Sequence, residues 1–214
     1  MATARKWSQV AIAMQSALAA AKTITAISKA SPGVVSSTAH GYANGDYVVL
    51  TVQGMRQVDQ RVFRVANQAA NTFELEGENT TLFDTFSSGT AQLITFGTSI
   101  STATTLNNSG GGYSFLDVTT VHDNTTKQIP GLAEASNFEF DNIWDISDAG
   151  LVALKAASDQ QGTRAFKFTF GTGGQIMLFT GYVGANLLPG GAAQQLVTTK
   201  AAITMNGAPT YYSS

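Results

Sequence analysis

The chain has 214 residues, enough for one sizeable β domain or for a core domain carrying a small insert. Only 12% of residues are charged and the net charge is -2, which disfavours a nucleic-acid binder with a basic face and leaves little repulsion to oppose self-association. The absence of cysteine rules out disulfides, thiolate nucleophiles and cysteine metal ligands.

At the start, residues 1–6 are weakly like a signal n-region, but Gln15 and Ser16 interrupt the apolar stretch that follows, so no secretion signal is expected. No run approaches the roughly 20 apolar residues of a membrane-spanning helix. Across residues 7–21, Val10, Met14, Ala17, Leu18 and Ala21 form a helical stripe, while Val10, Ile12, Met14, Ser16 and Leu18 alternate as in a strand. Periodicity leaves both readings open there.

From residue 24 to about 96 the chain breaks into short β-branched and aromatic runs separated by turns, the pattern of a small β-barrel. Gly41, Asn44 and Gly45 tolerate positive φ, so strands over 34–38 and 47–52 are expected to pair across that turn. Arg56, Arg61 and Arg64 fall in this module, roughly balanced by Glu74, Glu76 and Glu78.

Ser109, Gly110, Gly111 and Gly112 form a flexible stretch that separates the first part of the chain from a more regular part. Phe138 and Phe140 alternate with Glu139 and Asp141, predicting a strand with one buried face. A helix over about 147–161 follows, with Ser147 as its N-cap and Asp148 in its first turn. Phe166, Phe168 and Phe170 then lead through Gly171, Thr172, Gly173 and Gly174 into residues 175–183, a β-hairpin. A last strand is expected over 195–205, and residues 206–212 read as a short tail.

Catalytic signatures are missing. His122 beside Asp123 in a polar loop reads as solvated, and His40 beside Gly41 as a turn residue bonded to backbone. No Ser occupies a nucleophile elbow, and neither glycine cluster leads into a helix with the Lys-Ser/Thr pair of a phosphate loop. Trp7 and Trp144 read as packing residues. Between Tyr113 and Asp159, eight acids stand against two lysines, a segment that is either a solvated face or, repeated around a ring, a negative field that repels DNA phosphates.

The run Thr163, Arg164, Ala165, Phe166, Lys167, Phe168, the glycine hairpin, residues 179–183 and the stretch from Val197 to Pro209 resemble the C-terminal half of lambda-like siphophage tail tube proteins. Phe115, Leu116, Asp117, Val118, Thr119, His122, Asp123, Ile129, Pro130, Gly131 and Leu132 resemble the loop and strand upstream in that family. Residues from Thr23 to about Ile94, with Ala30, Ser31, Pro32, Gly33, Thr38, Ala39, His40, Gly41, Tyr42, Gly45, Asp46, Gly54 and Met55, are similar to a small barrel found in phage structural proteins and to the first catalytic-cysteine half-domain of ubiquitin-activating enzymes, a likeness of fold without ligase chemistry. Its place near the N-terminus departs from the plain tube protein.

The resemblance implies a mainly β protein: a tail-tube β-sandwich or barrel with one flanking α-helix, plus the inserted small β-barrel. Residues 1–22 are then a tube segment, 23–95 the inserted module, expected to project outward, and 96–214 the tube core. It implies a structural subunit, without cofactor, forming hexameric rings that stack into a hollow tube around a tape-measure protein, join tail terminator and distal tail proteins, and conduct double-stranded DNA. Such a subunit assembles in the host cytoplasm and resides in the virion tail. Asp117, Asp123, Glu139 and Asp141 are the expected lumen-facing acids. The expected inter-ring or inter-subunit loops carry Ser109, Gly110, Gly111, Gly112, His122, Asp123, Pro130 and Gly131. A secretion-system tube protein would share the rings but lack the module. A carbohydrate- or host-binding β-module would instead present Trp7, Trp144, Tyr42 or Tyr182 on a concave surface.

Overall fold

The computed structural model describes residues 10–171 and 174–213. Residues 1–9, with Trp7, and Thr172, Gly173 and Ser214 lie outside the described residues, so the middle of the expected glycine hairpin falls there. The protein is mainly β, with a single α-helix among the described residues.

The open question at the N-terminus resolves as strand, β1 (Val10–Met14). Ile12 and Met14 are buried, and all five residues pair with the later Phe166–Phe170 stretch. Burial in a sheet overrides the helical preference of an alanine-rich segment.

The next strands make a curled eight-stranded sheet: β2 (Ala17–Leu18), β3 (Lys22–Ile24), β4 (Ala26–Ile27), β5 (Val34–Ser36), β6 (Tyr47–Gln53), β7 (Val62–Ala66), β8 (Thr72–Leu75) and β9 (Ser88–Thr95). Val48, Leu50 and Val52 of β6 alternate inward and meet Phe63, Phe73 and Leu75 in one core. The expected pairing of 34–38 with 47–52 is not found. β5 pairs with β4 and β8, and β6 with β7 and β9. His40 lies between the two strands: its buried ring contacts the Ala69 and Thr72 carbonyls through Nε2 and accepts from Tyr42 N at Nδ1, which ties this stretch to the connection leading into Thr72. Gly45, at φ 91°, then turns the chain into β6, its N–H bonded to Val65 O. The arginine and glutamate balance becomes specific: Arg61 pairs with Glu78 and Arg64 with Glu76, while Glu74 accepts from Asn67.

The remaining elements are β10 (Thr98–Ser99), β11 (Ala103–Ser109), β12 (Tyr113–Asp117), β13 (Gln128–Ala133), β14 (Asn137–Ile143), α1 (Ala149–Gln160), β15 (Arg164–Phe170), β16 (Gln175–Ala185) and β17 (Thr198–Tyr212). With β1 they form a seven-stranded sheet in the order β10-β1-β15-β16-β17-β14-β11, plus the separate ribbon β12-β13. Helix α1 lays Leu151, Leu154 and Ala157 on a core of Phe140, Phe166, Phe168 and Phe179. Its N-cap is Asp148, not Ser147: Asp148 Oδ1 accepts from Leu151 N at 2.9 Å, while Ser147 turns back to bond Asp145. A carboxylate at that position satisfies an open backbone donor and favours the helix dipole.

The expected short tail is instead the second half of β17, which runs on to Tyr212 opposite Ile176. A bulge between the Thr180↔Asn206 and Leu178↔Thr210 pairs absorbs Gly207, at φ 89°, and Pro209, which has no N–H to give a ladder.

The two sheets meet at a packed seam. Alternation along β16 sends Met177, Phe179 and Val183 toward α1, and Ile176, Leu178 and Thr180 toward the barrel. Leu178, Ala165 and Tyr212 pack with Val62 and Ile94 of the barrel sheet. Thr210 Oγ1 donates to Val62 O, Thr180 Oγ1 to Gln60 O at 2.6 Å, and Tyr212 Oη accepts from Arg64 N at 2.8 Å. Burial pushes the Tyr212 phenol up to about 12, so the ring stays neutral, with the Arg64 guanidinium stacked 4.7 Å above it.

Candidate assembly surfaces

Three features of the seven-stranded sheet lack partners among the described residues. The first is its margins. Among the described residues β11 pairs only with β14, and on the far side β1 is flanked only by the two-residue β10. The sheet curls so that both margins line one cleft of about 600 Å³, walled by Val10, Ile12, Ile100, Ala103 and Leu106. Unpaired strand edges of this kind are templates for another strand.

The second is an arm. β11 and β14 pair as far as Ser109↔Asn137, and the chain continues as β12-β13, with Tyr113 opposite Ala133 and Leu116 opposite Ile129. The Ser109, Gly110, Gly111, Gly112 stretch is therefore not a separator but the neck of one long hairpin. Gly110 sits at φ 79°, where a Cβ would collide with the Ala135 carbonyl, and Gly112 O accepts from Glu134 N at 2.8 Å. Phe115 is 63% exposed, Leu116 58% and Leu132 86%. Pro130 lies within β13, the place for a residue that cannot donate to a further strand.

At the arm's tip, Asp117 Oδ1 accepts from Thr119 N, and Asp123 accepts from Thr120 and pairs with Lys127. Hydrogen bonds from Thr119 hold the Asp117 carboxyl below its ordinary value, and those from Lys127 and Thr120 do the same for Asp123. His122 is exposed, and no cluster of metal-ligating side chains occurs among the described residues.

The third is the sheet face opposite α1. Register places Tyr182, Gly184, Ala202, Thr204, Glu139 and Asp141 on the face whose other end is covered by the barrel. Glu139 is exposed between Asn107 and Ala202, and Asp141 lies opposite Lys200 and accepts from Thr105 Oγ1 at 2.6 Å. The four predicted acids thus fall in two groups, Glu139 with Asp141 on the sheet and Asp117 with Asp123 on the arm.

This arrangement of a mainly β fold, one helix, open margins and a bare arm agrees with a sequence match over residues 53–214 to the family described as phage tail tube protein, TTP. The chain belongs to that family. No curated protein matches it. The tail tube family is structural, which makes this chain a virion tail component. No helix among the described residues is long and apolar enough to cross a membrane.

Of the aromatics a carbohydrate site would need, Tyr42 is buried against His40 and Phe73, and Trp144 donates from Nε1 to Leu187 O, as a packing residue does. Tyr182 alone of the described three is largely exposed, on the sheet face. The sequence reading missed that Tyr113, Phe115, Leu116, Ile129 and Leu132 are bare. An apolar strand pattern looks the same whether a core or a neighbouring copy covers it, and only Pro130 hinted at a ribbon without further strands.

Proposed function

We propose that this tail tube subunit closes into hexameric rings through its sheet margins, and that the rings stack through the arm into a hollow tube conducting double-stranded DNA. The observation that carries this reading is the pair of sheet margins left open among the described residues, β11 on one side and β10 with the Val10 end of β1 on the other, on a single curled sheet. A neighbour's β11 meeting the next copy's β1 side satisfies backbone groups that the monomer leaves to water, and such a head-to-tail contact repeats until it closes. Loops bearing Ser109, Gly110, Gly111, Gly112, His122, Asp123, Pro130 and Gly131 then lie between subunits or rings.

Glu139 and Asp141 are proposed to face the bore, where acids repeated around a ring sum into a field that keeps DNA phosphates from adhering. For Asp117 and Asp123 the same role requires the arm to border the lumen. Residues 23–95 are proposed as a module inserted between tube segments 1–22 and 96–214, with the barrel fold of the ubiquitin-activating half-domain. A separate sheet and a separate core support it. Strand twist along β17 lets such a module hang outside the ring while the bare end of the same face turns inward. Tape-measure, terminator and distal tail proteins are the proposed partners, with assembly in the host cytoplasm.

Negative-stain microscopy of the purified protein over a concentration series tests the reading. Uniform hollow rings or tubes are expected; compact monomers at every concentration would overturn it.

A further inference from the structure

Bare apolar side chains also collect in a second place. Ile143 at the end of β14 and Ile146 just after it are exposed, and Leu188, Leu196 and Val197 are exposed on the connection from β16 to β17. This surface is held in shape. Trp144 N donates to Val197 O and Trp144 Nε1 to Leu187 O, both at 2.9 Å, and Gly190 and Thr198 exchange two backbone bonds of 2.8 Å. One residue further in, the cross-strand neighbours Asn142 and Thr199 leave Nδ2 and Oγ1 buried without partners, so this end of the sheet is less complete than its middle.

Register fixes where the patch lies relative to the arm. β11 and β14 pair from Ser109↔Asn137, where the arm leaves, to Ala103↔Asn142, beside the patch. The strands are seven residues long, so the two apolar surfaces sit roughly 20 Å apart at opposite ends of the same strands. The arm departs from the end remote from its own patch. A two-fold pair of copies laying arm on arm would leave both patches bare. A head-to-tail contact covers one arm and one patch per copy and repeats without limit along the strand axis.

We propose that the patch formed by Ile143, Ile146, Leu188, Leu196 and Val197 is the seat for the arm of a second copy in the adjoining ring. This assigns the acceptor for the stacking contact and rests on the stacking reading above. The arm bares apolar side chains on both faces of its ribbon, Phe115 on one and Leu116 with Ile129 on the other, and at roughly 150–250 Å² for a buried aromatic their summed area, with Tyr113 and Leu132, reaches several hundred Å². A lipid surface fits poorly, because the only cation of the arm, Lys127, is paired with Asp123 and no basic rim flanks the apolar side chains.

The cysteine-free chain permits a clean test. Leu116→Cys protein and Ile146→Cys protein, both altered at exposed positions, are mixed under assembly conditions and treated with a short bismaleimide. The expected result is crosslinked dimer in the mixture and monomer in each protein alone, with Leu196→Cys replacing Ile146→Cys to the same effect. Phe115→Asp is expected to abolish tubes while leaving the thermal unfolding midpoint unchanged. If unmodified protein forms tubes but no arm–patch crosslink appears at either acceptor position, the seat is wrong and stacking stands. If no assembly forms at any concentration, both fail.

Discussion

The eight-stranded barrel sheet and the seven-stranded sheet treat their surfaces in opposite ways. In the barrel, Val35, Val48, Leu50, Phe63 and Phe73 are fully buried, Arg61 and Arg64 are paired with glutamates, and Leu18 and Leu82 are its only large apolar side chains that are exposed among the described residues. The seven-stranded sheet and its helix have an equally tight core around Phe140, Phe166, Phe168 and Phe179, yet this part leaves the arm and the Ile143 patch bare. A fold that completes itself has no reason to expose such side chains; one that continues into copies of itself must.

Paired truncations probe that contrast with the largest expected effect. Phe73→Ala empties a wholly buried site and should cost the monomer about 3–5 kcal/mol in thermal unfolding. Phe115→Ala, altering a ring that is mostly in water, should stay within about 0.5 kcal/mol in the monomer. Equal losses for the two would mean that the arm is packed in the free chain and would erase the distinction.

The seam sharpens the comparison with a smaller effect. Thr210→Val keeps the side-chain shape but removes the bond to Val62 O, at a cost of about 1 kcal/mol. Since that bond joins the two sheets, calorimetry should show the barrel and tube transitions beginning to separate. A single unchanged transition would assign the coupling to the Leu178, Tyr212 and Val62 packing alone.

The smallest effect is local and pH-dependent. Asp123 is held below its ordinary value by Lys127 and Thr120, so its contribution to the tip loop is present above that ordinary value and is lost as pH falls through the lowered one. Protection of residues 118–127 against amide exchange, relative to the intrinsic rate at each pH, should therefore fall at acid pH and stay constant near neutrality. Loss of protection between pH 6 and 8 instead would mean that Asp123 does not hold the loop.

Much of the fold was legible before any coordinates. Alternation of Phe138 with Phe140, and of Phe166 with Phe168, is a short-range pattern, and so are the glycine hairpin and the helix near 147–161. Such signals depend on neighbours in sequence, so β14, β15, β16 and α1 appear where expected, with the cap shifted by one residue to Asp148. The candidate acids were legible only as composition, because nothing local says which face of β14 a neighbour covers.

Tertiary structure decided the rest, and the reason is range. β1 became a strand because the Phe166–Phe170 stretch, over 150 residues away, supplies its ladder. The 206–212 segment became strand because Ile176 and Leu178 lie opposite, and β5 parted from β6 because the Thr72–Glu74 stretch supplies its ladder. By itself the sequence determined a mainly β, cysteine-free, charge-poor chain of the tail tube family. Which apolar side chains close a core and which stay open for another copy is a property of long-range pairing and burial, and only the folded molecule decides it.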